Sequence, residues 1–162
     1  MNYYESVVVD YLRADRALFV NTECCIQVNQ AENPDSSGAH WYCDAVAADF
    51  RAQKIFLCEI SYAAQLASLT KRLHGWHDNW EAVRHALQRD SFLPEPWPVR
   101  PWLFVPEDCV HFVLKGLDQI GEALRFIPKI TTLEMVQPWM YRSWNQVGEK
   151  EKPGTIPESM RA

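Results

Sequence analysis

Apolar positions change period several times along the chain. From Tyr3 to Arg16 they fall at helical spacing, with Tyr4, Val7, Val8, Tyr11 and Leu12 on one stripe and Glu5, Asp10, Arg13 and Asp15 as charged positions. This predicts a helix over 3–16. Residues 18–28, "LFVNTECCIQV", are β-prone and partly alternating, which predicts a strand. "NQAENPDSSG" (29–38) collects Asn, Pro, Asp, Ser and Gly and reads as a loop. Two further strands follow at about 40–49 and 54–61, joined by the polar "RAQK". From Ala63 to about Asp90 the pattern is helical again, with a hinge expected near Gly75.

"LPEPWPVRPW" (93–102) carries four prolines, so it reads as an extended connector. "WLFVP" (102–106) suits a short buried strand, and 107–126 suits a helix with acids in its first turn, where they complement the helix dipole. Residues 126–136 read as a late strand that Pro128 places at an edge or start. The expected order is α-β-β-β-α-β-α-β. A hairpin followed by a strand–helix–strand unit implies a mixed sheet flanked by helices, an α/β fold. The chain reads as one domain over 1–147 and a polar, flexible C-terminal tail over 148–162.

Composition adds bounds. The 162 residues suffice for one sizeable core, and 48% hydrophobic with 23% charged content is ordinary for a globular protein. No apolar run is long enough to span a bilayer, and "MNYYESVVVDYLRADR" lacks a basic flank and cleavage site, so a cytoplasmic location is expected. The net charge of −5 argues against tight non-specific binding to nucleic acid, but not against a local phosphate site. Five cysteines without a CxxC pair, each in an apolar run, read as buried free thiols. His74 and His77 have a metal-capable spacing but no obvious third ligand. Seven tryptophans, among them those of "PEPWPVRPW" and "QPWMYRSW", suggest docking surfaces and a homodimer through a Trp-rich face. No GxxxxGK[ST], GxGxxG or GxSxG occurs.

The chemistry lies in two acids, Asp44 in "CDAVAADF" and Glu59 in "FLCEIS", each inside an otherwise apolar strand. Along its strand Asp44 shares a face with Tyr42 and Val46; Glu59 shares one with Ile55, Leu57 and Ser61. A four-residue loop, "FRAQ", pairs Asp49 with Lys54 and sets Asp44 opposite Glu59. A two-residue loop sets the acids diagonally on one face, and a three-residue loop puts them on opposite faces. All three loops stay open on sequence. On a shared face the carboxylates repel and raise each other's pKa unless a cation such as Mg²⁺ or Mn²⁺ lies between them. Such a cation polarises a phosphodiester and activates water.

With Asp44, Glu59 and Glu5 (in "YYESVVVDYL") so placed, residues 3–106 resemble the PD-(D/E)xK nuclease superfamily. The resemblance implies a restriction-endonuclease-like α-β-β-β-α-β core and a metal-dependent nuclease acting on nucleic acid. It also implies Asp44 and Glu59 as ligands of Mg or Mn, and Glu5 assisting from the first helix. The sequence departs from the motif at Ser61, which stands where the family has lysine and would hold the attacking water without bringing charge. Lys54 points to the other face. Lys71, ten residues beyond Ser61 on the next helix, is about 15 Å away along the axis, so it and Arg72 are expected out of reach. The alternative is a catalytically inactive endonuclease-like domain serving as a binding or assembly module. A Lys or Arg reaching the acids favours the enzyme; apolar side chains filling the space favour the module.

Overall fold

The computed structural model describes residues 2–28, 40–91, 93–94, 96–121 and 124–136. The expected loop at 29–38, Trp139, Trp144 and the tail at 148–162 lie outside these residues. Helix α1 (Tyr3–Ala14) leads into β1 (Leu18–Gln27), β2 (His40–Asp49) and β3 (Lys54–Ile60). Two helices follow, α2 (Ala67–Asp78) and α3 (Trp80–Ser91), then β4 (Val99–Val105), a 3₁₀ turn at Glu107–Cys109, α4 (Val110–Ile120), β5 (Lys129–Thr132) and a closing 3₁₀ turn at Leu133–Val136.

The strands form one mixed sheet in the order β1-β2-β3-β4-β5. β1–β2 and β2–β3 are antiparallel, and β3–β4 and β4–β5 are parallel. Helices flank both faces, so the molecule is α/β. α1 covers Ala45, Ala47, Phe56, Cys58, Trp102 and Phe104 with Val8, Tyr11 and Leu12. The other face, with Val46, Ile55, Leu57 and Leu103, is covered by apolar residues of α2, α3 and α4. Among the described residues, no helix is long and apolar enough to cross a membrane.

α1 begins with a capping box that the sequence carries as Asn2-x-x-Glu5. Asn2 Oδ1 accepts from the Glu5 N–H at 3.0 Å, and Glu5 Oε2 accepts from the Asn2 N–H at 2.9 Å. The helical break expected at Gly75 falls instead at Asn79, whose N–H and side-chain amide both donate to the Gly75 carbonyl. Gly75 stays inside α2, facing Trp41. β4 starts inside the expected connector and includes Pro101. At Pro101 the strand pairs with Leu57 of β3, while pairing with β5 begins only at Trp102, so the missing N–H need not serve the β5 ladder. The last predicted helix ends early, at Gly121, whose φ of +84° stops α4.

The β2–β3 register is that of the four-residue loop: Asp49 pairs with Lys54, and Ala45 with Cys58. Asp49 sets it. Its buried Oδ1 accepts from the backbone N–H of Arg51 at 2.9 Å and of Ala52 at 3.0 Å. Arg51 in turn reaches back to the buried carboxylate of Asp15 at the end of α1. Asp49→Ala is expected to lower stability by about 2 kcal/mol in urea unfolding, with Asp49→Asn retaining most of it, because both turn hydrogen bonds end on one buried oxygen.

Among the described residues Trp76, Trp80 and Trp102 are buried in the core, so they cannot contribute to a Trp-rich outer face. Cys25 corrects the expectation that all the thiols are buried: it is exposed, on the outer strand of the sheet, whereas Cys24, Cys43, Cys58 and Cys109 are buried.

Candidate functional site

β1 and β2 change faces together. Leu18 and Val20 pack with the α1 side of the sheet, yet Cys24 and Ile26, of the same parity, pack with the opposite side. On β2, Ala45 and Ala47 lie on the α1 side and Cys43 on the other. The switch occurs at Glu23, a non-glycine residue with φ of +53°. Thr22 pairs with Ala45 and Cys24 with Cys43, which brackets Glu23 and Asp44 as the facing pair at the switch.

At the same point β2 parts from β3, since their pairing ends at Ala45 and Cys58. Asp44 and Glu59 are the next positions on the two strands. The Asp44 carboxylate occupies the opening: its Oδ2 accepts from the Ile60 backbone N–H at 2.7 Å. One acid in a strand is thereby explained. Its side chain receives an N–H at the point where strand pairing stops.

Glu59 is 3% exposed. Its Oε2 accepts from Nη1 of Arg72, a residue of α2. Its Oε1 is buried and has no hydrogen-bond partner. Burial and, second, the charge of Asp44 push Glu59 up to about 8, and Arg72 pulls the other way without prevailing. Asp44, half-buried, is also pushed up, mainly by burial and in part by Glu5, while the Ile60 N–H and Arg72 act in the opposite sense.

Arg72 corrects the sequence-based expectation that it lies out of reach. Distance along a helix axis is the wrong measure, because the chain reverses between β3 and α2 through Leu66, whose φ is +50°, and α2 packs across the sheet. Leu69, Leu73 and Trp76 form the buried stripe of α2. Arg72 falls at the i+3 position of that i, i+3, i+4, i+7 pattern. A charged residue on an apolar stripe was the available signal. Lys71, one position away, is exposed.

The other predicted residues stand at the margin. Glu5 is close enough to act on the charge of Asp44, but both its carboxylate oxygens also receive hydrogen bonds from Asn2 at the start of α1. Ser61, half-buried, follows the last residue of β3, and its N–H donates to the Phe104 carbonyl at 3.0 Å. His77 is engaged away from the acids, its Nδ1 accepting from the Arg125 N–H at 3.4 Å.

The oxygens that suit a hard cation are those of Asp44 and Glu59, above all the unpartnered Glu59 Oε1. Among the described residues no group of three or more His, Cys, Asp or Glu side chains is arranged to hold a metal ion. Two carboxylates fit the way Mg²⁺ is commonly bound, with water and phosphate oxygens completing the shell. No family model matches the chain, and neither a curated protein nor a solved structure matches it.

Proposed function

We propose that the chain is a metal-dependent phosphodiester hydrolase acting on nucleic acid, with a restriction-endonuclease-like core. The observation that carries the reading is the meeting of Asp44, Glu59 and Arg72 where β2 leaves β3. The α-β-β-β order from α1 to β3, followed by helices and a parallel β4, agrees with the core implied by the sequence resemblance.

Asp44 and Glu59 would hold Mg²⁺ or Mn²⁺, which supplies Lewis acidity to the phosphate and lowers the pKa of the attacking water. Glu59 would serve as a ligand in its ionised form. Arg72 brings the charge that Ser61 lacks: a guanidinium presented from α2 stabilises developing charge on the phosphate oxygens. Ser61, next along from Ile60, orients water with its hydroxyl. Glu5 keeps α1 capped and adds to the negative field at Asp44.

The second reading, an inactive module that binds or assembles with a partner, including a second copy of itself, is favoured by one observation: Glu59 is nearly inaccessible and already paired. Cleavage of labelled single- and double-stranded DNA and RNA separates the two. The hydrolase cuts at least one of them with Mg²⁺ or Mn²⁺ and none with EDTA. Failure of well-folded protein to cut any of them with either metal assigns the chain to the second reading.

A further inference from the structure

Cys24 and Cys43 are directly opposed on neighbouring antiparallel strands, beside the residues at which β1 and β2 change faces. Both side chains pack into the same core cluster, so they lie on one side of the sheet. Opposed Cα atoms in an antiparallel pair are about 4.5–5.5 Å apart, inside the range of about 4.4–6.8 Å that a disulfide spans. The Cys43 thiol donates to the Cys24 carbonyl at 3.8 Å. The Cys24 sulfur accepts from the Asn21 side-chain amide at 4.0 Å. β1 is the outer strand, and Cys24 keeps 9% of its surface exposed.

From this arrangement we infer that Cys24 and Cys43 form a redox-sensitive dithiol, closed to an intramolecular disulfide by low-molecular-weight disulfides. The Cys24 thiolate attacks one sulfur of the small disulfide; that S–S bond breaks and one small thiolate leaves. The Cys43 sulfur then displaces the second small thiolate from Cys24, and the protein S–S bond forms. Two small thiols are produced, taking up the two protons that the protein thiols lose. The protein pair is oxidised and the small disulfide reduced. Cys24 is the attacking sulfur on electrostatics as well: a hydrogen bond from Cys43 outweighs burial and the charge of Asp90 and lowers its thiol to about 7. The bond would fix β2 at the residue before Asp44, and so ties the redox state to the geometry of the acids. It does not depend on the hydrolase reading.

The test is to incubate the reduced full chain with oxidised glutathione, alkylate in denaturant, and map unreduced peptides by mass spectrometry. The expected result is a Cys24–Cys43 linked peptide pair, a loss of two hydrogens from the chain, and a thermal midpoint that rises and returns with dithiothreitol. Cys25→Ser forms the same bond, whereas Cys43→Ser stops at a glutathione adduct on Cys24. The inference is overturned if Cys24 and Cys43 are both recovered alkylated in the wild-type chain, including the case in which exposed Cys25 alone carries glutathione or links two chains. The wild-type map decides this even if a serine variant fails to fold.

Discussion

Asp44→Asn and Glu59→Gln are each expected to lower metal-dependent cleavage by on the order of a thousandfold or more. Arg72→Ala is expected to lower it by about a hundredfold to a thousandfold, with Arg72→Lys in between. The acids and the arginine do different things, so their losses should look different. Removing either carboxylate is expected to shift the metal dependence to higher concentration, as loss of a ligand would. Removing Arg72 keeps both carboxylates and is expected to lower kcat at saturating metal, since charge on the phosphate would then be less well stabilised. Single-turnover rates across a metal titration measure both. Cleavage that persists in Glu59→Gln at the wild-type rate would place the activity elsewhere on the chain or outside it.

The second large effect concerns pH. The Glu59 carboxyl holds its proton to about 8 in the folded chain, against an ordinary value of 4.5. The folded state therefore binds this proton more tightly than the unfolded state. Stability contributed by the protonated form is present in full below about 4.5, is lost as pH rises through the window to about 8, and is level above it. Glu59→Gln removes that loss. In metal-free urea unfolding, the variant should gain on the wild type between pH 5 and pH 9 by on the order of a few kcal/mol. Equal slopes for the two proteins would mean that Glu59 is already ionised across the whole range. By the same linkage a cation held by Glu59 would be expected to bind more tightly as pH rises towards 8, because it would have to displace the proton.

Much of the fold was legible because periodicity carried it. β1 follows its β-prone, partly alternating residues, β2 and β3 are short apolar runs bounded by polar residues, and the three-strand meander required nothing nonlocal. The register was not legible. Three loop lengths fit the same residues, and the choice was made by Asp49, whose side chain accepts two turn N–H groups, an interaction that composition does not announce. The split between α2 and α3 was misplaced because Gly75 has weak helix propensity, yet it stays inside α2 and Asn79 closes the helix.

The site was half legible. Asp44 and Glu59 stand out as acids in apolar strands. Arg72 does not, because proximity along the chain was the wrong guide once α2 folded back over the sheet. Its place on the Leu69–Leu73–Trp76 stripe was visible and carried the information. The face change at Glu23 and the parting of β2 from β3 have no sequence signature that an alternation rule would find, since such a rule assumes that parity persists along a strand.

The proposed hydrolase needs Asp44 and Glu59 together as a divalent-cation site. Titration of the metal-free protein with Mn²⁺, followed by electron paramagnetic resonance of the free ion at pH 8, tests it most directly. The wild type is expected to bind Mn²⁺ saturably, with competition by Mg²⁺ and loss of binding in both Asp44→Asn and Glu59→Gln. Absence of binding to the wild type, or binding that survives both substitutions, would contradict it.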